Sequence, residues 1–93
     1  MIKSFGDRDT EKLFRREKIK KLDPELLQRA RAKLLVIHAA ISEADLTVPP
    51  GNHFEKLKGD KKGRCSIRIN NQWRILFKWI DGNAFDVTIT DYH

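Results

Sequence analysis

Between Ile67 and Ile89 the large apolar residues fall mainly on odd positions: Ile67, Ile69, Trp73, Ile75, Phe77 and Trp79, then Phe85, Val87 and Ile89. A period of two is the signature of strands that bury one face, because successive side chains in an extended chain point to opposite sides. Two turn signals divide the stretch. Asn70-Asn71-Gln72 is a hairpin connection, and Asp81-Gly82 is the strongest turn dipeptide in the chain. The C-terminal third therefore reads as three antiparallel strands with the odd face on the core. The even positions, Ser66, Arg68, Arg74, Lys78, Asp86 and Thr88, make the opposite face, expected to be open, polar and basic.

Upstream the period is helical. Leu27, Ala30, Leu34, Ile37 and Ile41 follow a 3.6-residue repeat, and Asp23-Pro24 is an N-cap followed by proline at the first helical position, so residues 24–41 are predicted as the main amphipathic helix. Asp7 or Asp9 can cap a shorter helix through Lys12, Leu13 and Phe14, with acids in its first turn and Arg15-Arg16 at its end. Ile2–Phe5 alternates as a short first strand, Ser42 can cap a turn through Leu46, and Pro49-Pro50-Gly51-Asn52 ends regular structure. With 93 residues there is room for one domain, residues 1–93. The predicted order is β-α-α-β-β-β: an α+β fold with an N-terminal strand and two helices on one face of a largely antiparallel sheet.

The charge is uneven. Nineteen Lys and Arg against thirteen Asp and Glu give a net +6. The stretch from Lys56 to Arg74 holds Lys56, Lys58, Lys61, Lys62, Arg64, Arg68 and Arg74 against the single acid Asp60, so it equals the whole excess. A second cluster, Arg15, Arg16, Lys18, Lys20 and Lys21, faces only Glu17 and is either a solvated face or part of the same preference for polyanions. Other classes recede. The longest apolar run, Leu34 to Ile41 broken by His38, is far short of a membrane span, and the first residues lack the apolar stretch of a secretory signal. One cysteine, Cys65, excludes an internal disulfide scaffold, reads as a small packing residue and fits a reducing, cytoplasmic setting. His38, His53, His93 and Cys65 show no metal-ligand spacing, and Gly59 and Gly63 frame no nucleotide-binding loop, so neither metal nor cofactor is expected.

What remains is a basic sheet face, with Lys58, Arg64, Arg68 and Arg74, beside a C-terminal Asp91-Tyr92-His93 able to move protons. Cleaving RNA without a metal needs this kit: a base for the 2′-hydroxyl proton, cations for the charge growing on the phosphate, and an acid for the leaving 5′-oxygen. Tyr92 is the aromatic placed to stack an unpaired base, since both tryptophans fall on the core register. The same face without the proton chemistry would be a basic module that binds RNA or the ribosome and blocks translation sterically. The terminal Asp-Tyr-His favours the nuclease.

Leu57-Lys58-Gly59-Asp60, Ser66-Ile67-Arg68-Ile69, Gln72-Trp73-Arg74-Ile75 and Asp91-Tyr92-His93, with the opening Met1-Ile2-Lys3-Ser4-Phe5 and the Pro49-Pro50-Gly51-Asn52 segment, resemble the HigB-type toxins of the RelE/ParE superfamily over nearly the whole chain. The resemblance implies a compact RelE-like microbial ribonuclease fold and the toxin of a type II toxin–antitoxin module of the plasmid-maintenance, host-killing kind. It implies ribosome-dependent, metal-free cleavage of mRNA in the decoding site, leaving a cyclic phosphate, and a small helix-turn-helix antitoxin of the HigA type as partner. It implies catalytic roles for Arg74, Asp91, Tyr92 and His93 and a functional Lys58. Arg64, Arg68, Lys56, Lys61, Lys62 and His53, in or beside the basic segment, are candidate phosphate contacts. Where some relatives carry a histidine three residues before that lysine, this chain has Glu55. His93 takes the leading acid–base role. Glu55 is a base if its carboxylate reaches the 2′-hydroxyl and a plain surface acid otherwise, with His53 as the alternative.

Overall fold

The structure is a computed structural model that describes residues 1–58 and 63–91. Three α-helices precede the sheet: α1 (Arg8–Phe14), α2 (Pro24–Ala39) and α3 (Glu43–Leu46), followed by a 3₁₀ turn at Pro50–Asn52. The sheet comprises β1 (Glu55–Lys56), β2 (Arg64–Arg68), β3 (Trp73–Ile80) and β4 (Asn83–Asp91), in the order β1-β2-β3-β4 with each neighbour antiparallel.

The helices begin where side chains satisfy their first amides. Asp7 accepts from the Thr10 amide at 3.1 Å, and Asp23 accepts from the Leu26 amide at 2.9 Å with Pro24 at the first helical position. Ser42 and Asp45 form the capping box of α3. Ala30, Leu34 and Ile37 of α2 and Leu13 of α1 meet Ile67, Ile69, Ile75, Phe77, Val87 and Ile89 in one core, with Trp73 and Trp79 packed at its margin. The odd face of the strands is the core face, as the periodicity requires. Thr10, fully buried, ties the layers together: its hydroxyl accepts from the Ile89 amide at 2.9 Å.

Four expectations change. First, α2 ends at Ala39, and Ile41 lies 83% exposed, because Asp45 captures the Ile41 and Ser42 amides at 2.9 and 3.2 Å and starts α3 instead. Second, the N-terminal strand is reduced to two parallel bridges, Ile2 to Ala84 and Phe5 to Val87. The ladder is interrupted at Asp86, whose φ of 54° turns its amide onto the Ser4 hydroxyl. Third, the same residue shifts the β3–β4 register: Leu76 faces Thr88, but Lys78 faces Phe85 and Trp79 faces Ala84. A bulge at Asp86 thus sends Phe85 to the face of Lys78 and buries Ala84 in the core, where strict alternation puts Phe85. Fourth, Glu55–Lys56 adds an edge strand the periodicity did not reveal, since two residues carry no period.

The two hairpins follow their turn residues. Asp81 and Gly82 both have positive φ, 50° and 77°, as a two-residue turn with the twist of its strands demands. Asn70 Oδ1 accepts from the Gln72 and Trp73 amides at 2.9 and 2.8 Å, closing the β2–β3 connection. In the Arg15–Lys21 cluster, Arg15 pairs with Glu11 at 3.2 Å, and Lys21 pairs with Asp7 and lies 5.8 Å from the Trp73 ring centre. Buried Ile19 and Leu22 pin that loop to the core while Arg16, Lys18 and Lys20 stay exposed.

Two outcomes test this packing. A Cβ on Gly6 would lie 2.0 Å from the Thr88 hydroxyl and 3.0 Å from the Asp86 carbonyl, whereas one on Gly51 meets nothing within 4 Å. Gly6→Ala is expected to cost about 1–3 kcal/mol in urea unfolding and Gly51→Ala far less; equal costs would refute the close approach of the N-terminal segment to β4. Cys65 is buried, and burial pushes its thiol above the ordinary range, with Glu43 adding to the effect. The unfolded chain therefore ionises first, and this contribution to stability is full below the unfolded thiol's range and is lost as pH rises from there through the folded thiol's higher range. Thiol labelling at pH 8 is expected to be slow in the native protein and fast after unfolding, and rapid native labelling would contradict the burial.

Candidate functional site

The outer face of the sheet is built by register. Arg68 lies directly across from Arg74, Arg64 from Lys78, and Ser66 from Leu76 between them. On the far side of β2, Glu55 is the partner of Ser66. Cross-strand partners share a face, so Glu55, Arg64, Ser66, Arg68, Arg74 and Lys78 all project from the same side, away from the helices. Two like-charged pairs directly opposed across β2 and β3 are a destabilising arrangement unless anions or acids offset them. Lys78 is offset by Asp86 at 3.4 Å, and Arg68 donates to the side-chain Oδ1 of Asn71 in the adjoining turn.

This face is not uniformly open. Ser66 is fully buried, Leu76 is 5% exposed and Arg74 only 9%. The reason lies in the segment before β1. The 3₁₀ turn packs on β2, and His53, in the left-handed region at φ 43° and ψ 55°, directs its carbonyl onto the sheet, where it accepts from Arg74 Nη2. Arg74 Nε donates to Ser66 Oγ at 2.9 Å. A buried guanidinium needs its donors satisfied, and leaving one orphaned costs about 1–3 kcal/mol, more for a charged group. A guanidinium held in one plane by such contacts can grip two oxygens of a phosphate at once.

The anticipated residues are partly gathered here. Arg64, Arg68, Arg74 and Glu55 share the face, and exposed Lys58 lies two residues past β1. His53 contributes its carbonyl, while its exposed side chain makes no hydrogen bond among those found in the described residues. Lys56 goes elsewhere: it is the partner of Cys65, on the core-facing register, and binds Glu43 of α3 at 2.9 Å, which raises its pKa through the hydrogen bond and the carboxylate charge. Asp91 is the partner of Trp73, one position beyond the Arg74–Thr90 pair, so its side chain leaves the opposite face of β4, where its Oδ2 accepts from Gln72 Nε2 at 3.1 Å. Lys61, Lys62, Tyr92 and His93 lie outside the described residues.

Three contributors escaped sequence reasoning. Ser66 stood on the correct face but carried no functional signal of its own. Lys78 reads in the sequence as one more strand lysine. Asn52 follows a Pro-Pro-Gly run that reads only as a loop, yet it is fully buried, with Nδ2 donating to the Leu46 and Val48 carbonyls at 3.1 Å each and Oδ1 accepting from Lys33 Nζ. His38, whose Nδ1 accepts from the Ile2 amide at 3.1 Å, serves to anchor the N-terminal segment. Among the described residues no group of three His, Cys, Asp or Glu side chains gathers in a metal-binding arrangement, and no helix is long and apolar enough to cross a membrane.

The architecture and the sequence both have counterparts. The chain superposes on YafQ from Escherichia coli with a TM-score of 0.59 at 16% identity, covering 98% of this chain and 91% of that one. It superposes on YoeB from Staphylococcus aureus, solved as a dimer, with a TM-score of 0.61 at 21% identity, covering 99% and 94%. At those identities the likeness concerns the fold. By sequence the chain is 43% identical over 94 residues to "Toxin HigB-1" of Vibrio cholerae, covering 100% of this chain and 98% of the relative. It is 31% identical over 93 residues to "Endoribonuclease HigB" of Proteus vulgaris, covering both proteins fully. The family described as "RelE-like toxin of type II toxin-antitoxin system HigB" matches residues 3–93. By family match and full-length identity alike, this chain belongs to the HigB family of RelE-like toxins of type II toxin–antitoxin systems.

Proposed function

We propose that this toxin is an endoribonuclease that cuts mRNA in the decoding site of the ribosome and slows growth by stopping translation. The observation that carries the reading is Arg74: a guanidinium held on the outer sheet face by Ser66 and His53, directly across from Arg68, in a surface rich in cations. A surface of this kind suits an RNA phosphate, and the full-length relative from Proteus vulgaris bears the name endoribonuclease.

In the proposed reaction the substrate's 2′-oxygen attacks the adjacent phosphorus, forming the O2′–P bond while the P–O5′ bond breaks. The 2′-hydroxyl proton passes to a base and the leaving 5′-oxygen takes a proton from an acid, so the products are a 2′,3′-cyclic phosphate and a 5′-hydroxyl. Arg74 neutralises charge that grows on the non-bridging oxygens, a role in which a positioned donor is worth about 10²–10³ in rate. Arg64, Arg68 and Lys58 hold flanking phosphates, with Lys61 and Lys62 extending that hold. His93 is the proposed acid–base group, Tyr92 stacks a base, and Asp91 assists at the strand end. Glu55, on the face of Arg74 and beside Ser66, is the proposed second proton-transfer group. No metal takes part in this scheme. The partners are the ribosome with its mRNA and a cognate helix-turn-helix antitoxin, all in the cytoplasm.

Mapping mRNA 5′ ends after induction, with translation running and with initiation blocked, tests the reading. New ends bearing 5′-hydroxyls are expected only while translation runs, and Arg74→Ala is expected to reduce them at least about 100-fold. Growth inhibition without new ends would make the protein a steric blocker instead. Unchanged cleavage by Arg74→Ala would remove Arg74 from the site.

A further inference from the structure

Arg74 is useful to a phosphate only if its guanidinium points the right way, and the groups that hold it come from β2 and from the turn before β1. Ser66, on β2, accepts from Nε at 2.9 Å and is fully buried. The His53 carbonyl accepts from Nη2 and comes from a left-handed residue, a conformation that a side chain other than glycine holds only when its surroundings enforce it. Those surroundings centre on Asn52. Its amide ties the Leu46 and Val48 carbonyls, its oxygen takes the Lys33 ammonium from α2, and the 3₁₀ turn closes with the His53 amide donating to the Pro50 carbonyl at 3.1 Å. A chain of contacts therefore runs from α2 through Lys33, Asn52 and the His53 carbonyl to the guanidinium.

We propose that Ser66 and Asn52 are positioning residues of this toxin: Ser66 directly, and Asn52 through the His53 carbonyl, set the plane of the Arg74 guanidinium in which it meets the scissile phosphate. Neither touches the substrate. The proposal rests on the reading of Arg74 as the phosphate-binding arginine and adds how that arginine is aimed. Misplacement of a catalytic group by about 1 Å costs on the order of 100-fold in rate, which is the scale on which such groups act.

The test is a kinetic cycle on the full chain with ribosomes carrying a defined mRNA. Ser66→Ala is expected to lower kcat about 10- to 100-fold with KM nearly unchanged, because the face keeps its charge while the guanidinium loses its aim. Restoring a hydroxyl with Ser66→Thr is expected to recover most of that loss. In an Arg74→Lys background Ser66→Ala is expected to add nothing, since lysine has no Nε–H for the hydroxyl to orient. A structural role alone would instead lower the melting temperature and give additive losses in both backgrounds. Lys33→Met keeps the Asn52 side chain and removes only its ammonium partner, so it tests the longer arm without emptying the buried turn. It is expected to lower kcat several-fold with KM unchanged. Full kcat in Ser66→Ala, or additivity with Arg74→Lys, overturns the proposal for Ser66, and full kcat in Lys33→Met overturns the arm through Asn52. If Arg74→Ala itself still cleaves, the reading of the site fails and the positioning claim fails with it.

Discussion

A guanidinium placed on the outer face of a four-stranded sheet and nine-tenths withdrawn from water is the constraint around which this small protein is arranged. Its burial is tolerable only because each engaged N–H has an acceptor held in place by something else. The Ser66 hydroxyl sits on a strand paired on both sides. The His53 carbonyl sits on a turn that Asn52 fastens to the α3 end and to α2. The sheet, in turn, can present that face because its other side is closed by one apolar core. Removing the helices would leave β3 and β4 with two faces to solvate and no reason to keep Arg74 in place.

The bulge at Asp86 shows how the same fold manages both faces at once. It turns one residue out of step, so that Ala84 replaces Phe85 against the helices while Asp86 remains on the outer face to pair with Lys78. That acid offsets one of the two opposed cation pairs. The other end of the face carries the Arg68–Arg74 pair, and the arrangement of the surface is therefore written in the register as much as in the composition. The net charge located the relevant stretch, but three of its cations diverge in fate: Lys56 joins α3, Arg68 serves a turn, and Arg74 is buried.

Much of this was legible in the residues. The period of two assigned the strands and their core face, Asp23-Pro24 and Asp7 marked helix starts, and Asp81-Gly82 marked its hairpin. Arg74 was identifiable by its even position within an apolar strand together with the family resemblance. What stayed hidden shares one physical cause: it depends on contacts between distant segments. The edge strand Glu55–Lys56 exists because β2 offers it partners. The left-handed His53 and the buried Asn52 come from a loop whose composition announces only irregularity. The bulge is decided by Ser4 capturing the Asp86 amide across the sheet edge. Helix α2 stopped short of Ile41 because Asp45, four residues further on, took the amides that would have extended it.

The central claim is that Arg74 meets the scissile phosphate itself. Replacing each non-bridging oxygen of that phosphate with sulfur in turn, and comparing cleavage by the wild-type toxin and by Arg74→Ala on the same programmed ribosomes, measures that contact directly. The account predicts that one diastereomer is cut markedly more slowly than the all-oxygen substrate by the wild type, and that this difference disappears in Arg74→Ala. A sulfur effect of the same size and stereochemistry in both proteins would contradict it.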